Sequence, residues 1–552
     1  MPKIAIIGGG PSAISLCKQL CDNYDFRGLS DELEITVFEK SDKIGGGLPY
    51  SFEDSTFILN LPASVMEPVY RDSGHFSKWL ECQADCPADT NFPPRYFFGR
   101  YLEHVSQVIQ EEVAVKGIKI IYKTNNEVND ISECELPDLY KISCTTGTYY
   151  ANYVVLATGH MASANFKKLE GAWNRYEHNP WDRSLYSRLD LSADTAIIGT
   201  RLTAIDTALK LEQMNFKGKI HLASRMGLLP AVLPDKIITR PLLYLTLQNF
   251  TDLTNYSLRQ LKLDDLLDLF WREIAEAEGP GFDKSQIITS SKNITALDWI
   301  TNEITRAQKG DSKWQQVLFS FYSVIPNIWS LLSFADQKRF LNEHYGLFMT
   351  YLAAFPIKNA LKIKDMLVTG KLEVSGGLED IVPAKAGFLL QFDTKKINVG
   401  QVINATGSGY QLSTVKLYKK MLKKHLITEH SLGGIRVDAQ TLQVLDKTEQ
   451  PRHSIFALGE LTRGTCLMTA DMSRVSGQAN RVSDSLGNSL LKTPAHRQSP
   501  IINVVRPAPA NLPALPNGKK MIYNGFFTSP NRTIKTLANM AVSVATKRFG
   551  SR

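Results

Sequence analysis

The sequence predicts an α/β fold with two Rossmann-like units and a helical insertion, and three observations carry that prediction. The run Lys3-Ile4-Ala5-Ile6-Ile7 reads as a buried strand that passes directly into Gly8-Gly9-Gly10-Pro11-Ser12-Ala13, and residues 12–20 continue with helical spacing. The same order of strand, glycine turn and helix returns at residues 194–198, 199–204 and 205–214. Between 241 and 355 the chain changes character, and its apolar residues fall at helical spacing.

In the first unit the spacing has a specific use. Gly8, Gly10 and Ala13 fit G-x-G-x-x-G/A, with Pro11 and Ser12 between them. Gly8 permits a tight turn, Gly10 has no Cβ to block a pyrophosphate, and Ala13 lets helix and strand pack closely. The helix N-terminus then faces the phosphates. A second strand, residues 33–38, ends at Glu39-Lys40, and an acid there suits a ribose 2′-OH. These features predict a dinucleotide site. Gly45-Gly46-Gly47-Leu48 follows, where backbone without side chains can lie against a flat ligand or a phosphate. Beyond Asn60-Leu61-Pro62-Ala63, His75 reads either as a base or, in the simpler reading, as a capped or core residue. A helix is expected over 101–112 and strands near 118–122 and 140–144. Residues 153–156 form a buried strand that ends in the small turn Ala157-Thr158-Gly159.

In the second unit the turn is Gly199-Thr200-Arg201-Leu202-Thr203-Ala204, and the next strand, 219–223, ends in Ser224-Arg225. A Ser-Arg pair at that strand end suits a 2′-phosphate, so NADPH over NADH. Arg201 stands where the second glycine belongs, and it either crowds the pyrophosphate or turns outward and pairs with it. Helices are expected over 258–278, 294–309 and 314–340, covering the active site or forming a binding surface, with Trp271, Trp299, Trp314 and Trp329 as core. Strands return at 371–375, 387–394 and 396–399. Asn404-Ala405-Thr406-Gly407 repeats the Ala-Thr-Gly turn. A strand from 454 ends at Gly459-Glu460, and a last helix runs over 472–486.

The domains expected are 1–165 and 396–490 as two parts of the first unit, 180–395 as the second with its insertion at 241–355, and a basic tail over 491–552. Composition fits a soluble globular chain of 552 residues, 43% hydrophobic and 21% charged, with no run long enough to cross a membrane. Because the glycine fingerprint occupies residues 1–20, a cleaved signal peptide is not expected there. The seven cysteines are scattered, and Cys82-x3-Cys86 is not a C-x-x-C. Reduced thiols, a cytoplasmic location and no metal site are expected. From Pro494 onward there are nine Lys or Arg and no Asp or Glu, so the net charge of +8 belongs to the tail and the remainder sums to about −1. The tail reads as a solvated extension or, through a short basic helix at 533–549, as a membrane or protein contact. Its basic residues are too sparse for nucleic-acid binding.

Taken together, Gly8–Ala13, Gly45–Ser51, 60–63, 72–79, 94–101, 157–159, 179–182, 199–206, 224–230, 404–407 and 457–464 resemble one family. It is the FAD/NAD(P)-binding flavoprotein family of largely uncharacterised bacterial proteins, distantly similar to lysine and ornithine N-hydroxylases and other flavin monooxygenases. The resemblance spans most of 1–487 and implies a two-dinucleotide flavoprotein. It implies FAD on Gly8, Gly10, Ala13 and Glu39, with Gly46, Gly47, Asn60 and Gly459 lining the flavin, and Pro11, Ser12, Lys40, Leu48, Gly159, Gly407 and Glu460 as further cofactor-binding residues. Gly199, Thr203, Ser224 and Arg225 would meet NADPH. Arg201, Glu460 in place of the usual aspartate, the insertion and the tail depart from the pattern. The activity implied is an FAD-dependent, NADPH-reduced, monooxygenase-like oxidation of a small molecule by O2, in which the cofactors react and no catalytic side chain is singled out. The alternative is an FAD-binding interaction module whose nicotinamide site is inactive and whose insertion and tail engage a partner or membrane.

Overall fold

The computed structural model describes residues 2–24, 33–70, 74–114, 116–136, 138–171, 175–182, 184–256, 258–288 and 294–492. The basic tail from 493 onward, with the helix expected at 533–549, lies outside the described residues, as does Asp72.

Two sheets organise the chain. In the first, the strand order is Gln443–Leu445, Pro451–Ala457, Tyr153–Leu156, Lys3–Ile7, Leu33–Phe38, Ile118–Lys123. All neighbours are parallel except the first pair. The order is Leu372–Ser375, Ile220–Ala223, Thr195–Ile198, Gln401–Asn404, Tyr176–Glu177 in the second sheet, which is parallel throughout. In each sheet the opening strand of the strand–glycine turn–helix unit, Lys3–Ile7 or Thr195–Ile198, lies between the strand that follows it and one that arrives much later. Strand order therefore reverses beside the opening strand, and such a switch point leaves a crevice at the carboxyl ends of the strands. The opening strands are nearly wholly buried, which is why they read as continuous apolar runs. A three-stranded antiparallel meander precedes the late strand in both cases: Val128–Glu133, Tyr140–Cys144 and Gly147–Ala151 before one, Leu378–Ala384, Gly387–Phe392 and Lys396–Val399 before the other.

That parallel corrects one boundary. The segment beginning at 396 was expected to return to the first unit, but Lys396–Val399 pairs with Gly387–Phe392, and Gln401–Asn404 pairs with Thr195–Ile198. The first of these strands closes the antiparallel meander that precedes the other, and the other lies in the second sheet. Hydrogen-bond pairing decided this, and an apolar run does not say which sheet it will join.

Helix Pro11–Tyr24 starts on Pro11, whose fixed φ and missing N–H suit the first helical position. It packs against the last helix, Met472–Lys492, which is longer than expected. The helix expected at 101–112 begins at Arg95 and runs to Ala114.

In the insertion, the helix expected from 258 begins only at Leu263, and Leu258 is exposed. Ala296–Lys309 is capped by the Thr295 hydroxyl, which accepts from Asp298 N, and it ends on Gly310 in the left-handed region. The long helix expected over 314–340 is three pieces, Lys313–Tyr322, Ile325–Trp329 and Phe334–Arg339. Pro326 sits in the first turn of the second piece and Ser333 caps the third, so each break carries its own local signal. Trp299 and Trp329 are core, whereas Trp271 and Trp314 are only partly buried against it. Two buried glutamates tie loops to these helices. The Glu273 carboxylate accepts from the N–H groups of Leu243, Tyr244 and Leu245, and Glu303 accepts from Val232 N and pairs with Arg306.

A buried ion pair joins the helices of the two sheets. Arg95 Nη1 lies 2.8 Å from Asp206 Oδ2, and both side chains are under 10% exposed. The contact is a charge pairing rather than a well-aligned hydrogen bond, because Oδ2 has no partner in good geometry. Burial pushes the Asp206 carboxyl above its usual range, and Arg95 opposes that shift. Arg95 also donates from Nε to Ile58 O, and Lys210 pairs with Asp54 nearby.

Candidate functional site: two glycine turns

The two glycine turns are built alike. Gly8 N donates to Phe38 O, and Ala157 N donates to Ile7 O, each at 2.8 Å. At the second turn Gly199 N donates to Ala223 O at 2.8 Å, and Ala405 N donates to Ile198 O at 2.9 Å. Gly8 has φ +105°, and a Cβ there would sit 2.5 Å from Ala157 O. Gly199 has φ +125°, and its Cβ would sit 2.6 Å from Ala405 O. Each Ala-Thr-Gly turn is thus pressed against a first-position glycine, which explains why both motifs occur twice. Gly159 and Gly407, the last residues of these turns, take positive φ and face open space.

Around the first turn the expected residues converge. A Cβ at Gly10 would meet nothing nearer than Gly47 Cα at 3.5 Å, so the turn faces room that a side chain would fill. Gly45 N donates to Gly9 O, and a Cβ on Gly47 would touch Pro11 Cδ at 3.0 Å, which lays the second glycine run along the first. A Cβ at Gly46 would crowd Ser51 Oγ. From the far end of the chain Gly459, at φ +71°, comes up to the Ser12 side chain. Gly459 N donates to Gln478 Oε1. Ala13 is fully buried, as close helix–strand packing requires. Glu39 is buried, with Oε2 accepting from Gly9 N at 2.7 Å and Oε1 accepting from Ser41 N and Oγ. Its carboxylate is therefore pinned at the turn. Lys40 and Leu48 are exposed. Asn60 holds a buried Oδ1 with no hydrogen-bond partner. A buried acceptor without a protein partner suits a polar ligand. Glu460 is buried, accepts from Thr469 Oγ1, and lies 3.9 Å from His160 Nδ1. His75 Nδ1 bonds Tyr101 Oη at 2.7 Å and packs on its ring, so the simpler reading of His75 describes its surroundings.

At the second turn the Ser224 hydroxyl accepts from Gly227 N and bonds Thr200 Oγ1, while the Arg225 side chain is exposed. Thr203 lies in the first turn of helix Leu202–Gln213. Arg201 has turned outward. It donates from Nη2 to Gly346 O at 2.8 Å, on helix Tyr345–Leu352 of the insertion. The insertion also reaches the Gly459 corner, where Trp329 Nε1 donates to Gly464 O and Tyr322 Oη donates to Asp471.

Sequence reasoning missed Arg463, Tyr410 and Tyr345. Arg463 Nη1 donates to Tyr410 Oη at 2.7 Å, and its guanidinium lies 3.9 Å from the Tyr410 ring centroid and 5.3 Å from that of Tyr345. Spacing gave no hint of this, since the three come from distant segments. A signal was present only in the position of Arg463, three residues after Glu460. Burial pushes the Cys17 and Cys21 thiols up to about 12, so neither is a reactive thiolate.

Residues 5–161 match the sequence model of the FAD-NAD(P)-binding family. An uncharacterised Escherichia coli protein, YdhS, is 23% identical over 439 residues, covering 69% of this chain and 78% of that one. The fold is similar to that of the L-lysine 6-monooxygenase from Pseudomonas syringae, with a TM-score of 0.56 at 14% identity over 89% of this chain and 100% of that one. It is also similar to the ornithine hydroxylase from Pseudomonas aeruginosa, with a TM-score of 0.52 at 16% identity over 89% and 99%.

Proposed function

We propose that the protein is an FAD-dependent oxidoreductase of the monooxygenase type, reduced by NADPH and acting with O2 on a small molecule. The observation that carries this reading is the doubled turn, a glycine held against an Ala-Thr-Gly carbonyl at the switch point of each of two sheets. The match of residues 5–161 to the FAD-NAD(P)-binding family supports the first of the two sites. We divide the chain accordingly into a discontinuous FAD unit, about 1–165 and 410–490, and an intervening nicotinamide unit.

Gly8, Gly10, Glu39, Gly46, Gly47, Asn60 and Gly459 would hold the FAD. Gly199, Thr203, Ser224 and Arg225 would hold the NADPH. A bound flavin supplies the hydride acceptance and oxygen chemistry that side chains lack. The chain's own part is to orient and to exclude water. Backbone N–H groups at the start of helix Pro11–Tyr24 face the phosphate position, and the pinned Glu39 carboxylate keeps the turn in shape. Trp329 and Tyr322 fasten the insertion over the Gly459 corner, screening it from solvent.

The test is the visible spectrum of the full-length protein after incubation with FAD, before and after anaerobic addition of NADPH. Flavin bands that bleach are the expected result. Bands that persist unchanged overturn the nicotinamide-driven reading, and a protein that retains no flavin overturns the reading as a whole.

A further inference from the structure

Two arginines, Arg201 and Arg463, meet the Tyr345–Gly346 step of the insertion, and a third, Arg225, follows the strand after the second glycine turn. Arg201 comes from the turn, Arg225 from the end of strand Ile220–Ala223, and Arg463 from the segment after Glu460. Arg201 donates to Gly346 O at 2.8 Å, and the Arg463 guanidinium lies 5.3 Å from the ring centroid of Tyr345, the residue before Gly346, so both arginines meet the same step of the insertion. Glu460 acts on Arg463, but it also faces His160 and accepts from Thr469. Among the described residues, none of the three arginines forms an ion pair with a carboxylate.

Gathering like charges in a half-buried place is unfavourable unless something neutralises them. Arg201 shows the consequence, since burial and then the neighbouring guanidinia push it below its usual range. The chain nevertheless maintains the arrangement. Tyr410 accepts a hydrogen bond from Arg463 and lies under its plane, and Tyr345 flanks it on another side. Gly346 O anchors one arm of Arg201. The turn that delivers Tyr345 is a single π-helical turn, Phe340–His344, inside the run of helix from Phe334, an irregularity often found at functional sites. Guanidinia held in a fixed plane suit the two oxygens of a carboxylate or phosphate.

We propose that Arg201 and Arg463, with Tyr345 and Tyr410, form an oxyanion seat that receives a phosphate or carboxylate of a small-molecule ligand. The insertion is then part of the site, and Arg201 serves as a ligand contact at the position where a glycine would leave the turn bare. The seat itself stands on these residues. Only the identity of its ligand rests on the proposed function, as a phosphate of the nicotinamide cofactor or an acidic group of the substrate.

The experiment is calorimetric titration of the full-length protein with inorganic pyrophosphate. Wild type should bind it, and Arg201→Gly and Arg463→Gln should each weaken binding at least tenfold. Arg463→Lys, which keeps the charge and loses the fork, should fall between. Arg201→Gly installs the residue found at the equivalent place in the first turn, so it reports even if a change at Arg463 impairs folding. Displacement of pyrophosphate by NADP+ assigns the seat to the cofactor. Pyrophosphate binding that persists beside saturating NADP+ assigns it to the substrate. No binding by wild type, or equal binding by wild type and Arg201→Gly, overturns the proposal. A protein that binds pyrophosphate but whose flavin NADPH does not bleach keeps the seat and loses the oxidoreductase reading, and the reverse result loses the seat alone.

Discussion

Alanine at Gly8 and alanine at Gly10 should damage the protein in different ways, although both glycines belong to one turn. At Gly8 the added Cβ would lie 2.5 Å from Ala157 O, 2.8 Å from Ala157 C and 2.9 Å from Thr158 Cα. All three are backbone atoms held by the Tyr153–Leu156 strand, so nothing flexible can give way. The φ of +105° adds strain of about 1–2 kcal/mol for an L residue. Overpacking adds about 1–3 kcal/mol. Together these predict a loss of about 2–5 kcal/mol in Gly8→Ala. At Gly10 the new atom would find only Gly47 Cα, at 3.5 Å, an ordinary contact, and φ is not in the left-handed region. Gly10→Ala should therefore fold within about 0.5 kcal/mol of wild type. Its methyl group instead enters the space proposed for the pyrophosphate and should weaken FAD at least tenfold, about 1.4 kcal/mol. Denaturant unfolding of the apoprotein reads the first effect, and fluorescence titration with FAD reads the second. Either a Gly8→Ala protein as stable as wild type or a Gly10→Ala protein with undiminished FAD affinity would refute the reasoning.

Two further tests concern stability. Arg95→Met leaves the Asp206 carboxylate buried without its partner and should lower stability by about 3–5 kcal/mol, whereas Arg95→Met with Asp206→Leu should recover most of that loss; denaturant midpoints decide it. His430 Nδ1 accepts from Leu432 N at 3.0 Å, which requires the unprotonated ring, and burial, aided by Arg436, pushes its pKa down from 6.5 to about 4. The folded state therefore binds this proton less readily than the unfolded chain. The stability His430 contributes is fully present above pH 6.5 and is lost as pH falls through that value toward about 4. His430→Asn should flatten the pH dependence of the melting temperature in that window, and an unchanged slope would exclude His430 as its source.

The elements that the sequence made legible are those whose signals are local. The strand, glycine turn and helix of each unit occupy fewer than about 25 consecutive residues, and their meaning lies in steric demands that neighbouring residues state directly. The breaks at Pro326 and Ser333 carry signals of the same local kind, a proline in a first turn and a serine cap, which apolar spacing alone does not register. Leu258 misled for another reason. Apolar spacing records which residues would share a helix face, but it does not say where the helix begins, and Leu258 lies outside it in solvent.

By itself, the sequence determined the α/β class, the two glycine turns and the repeated Ala-Thr-Gly turns. A missing Cβ or a buried apolar run constrains the backbone wherever it occurs. Only the tertiary structure decided that each Ala-Thr-Gly turn presses on its own first glycine, that strand Gln401–Asn404 belongs to the second sheet, and that Arg95 meets Asp206. It also decided that Arg201 turns to the insertion and that Arg463 lies against Tyr345 and Tyr410. These contacts join residues up to 206 positions apart. An isolated arginine in a sequence carries no mark of its neighbours, because charge pairing and strand pairing depend on distance in space, which is set only when the sheets and helices pack.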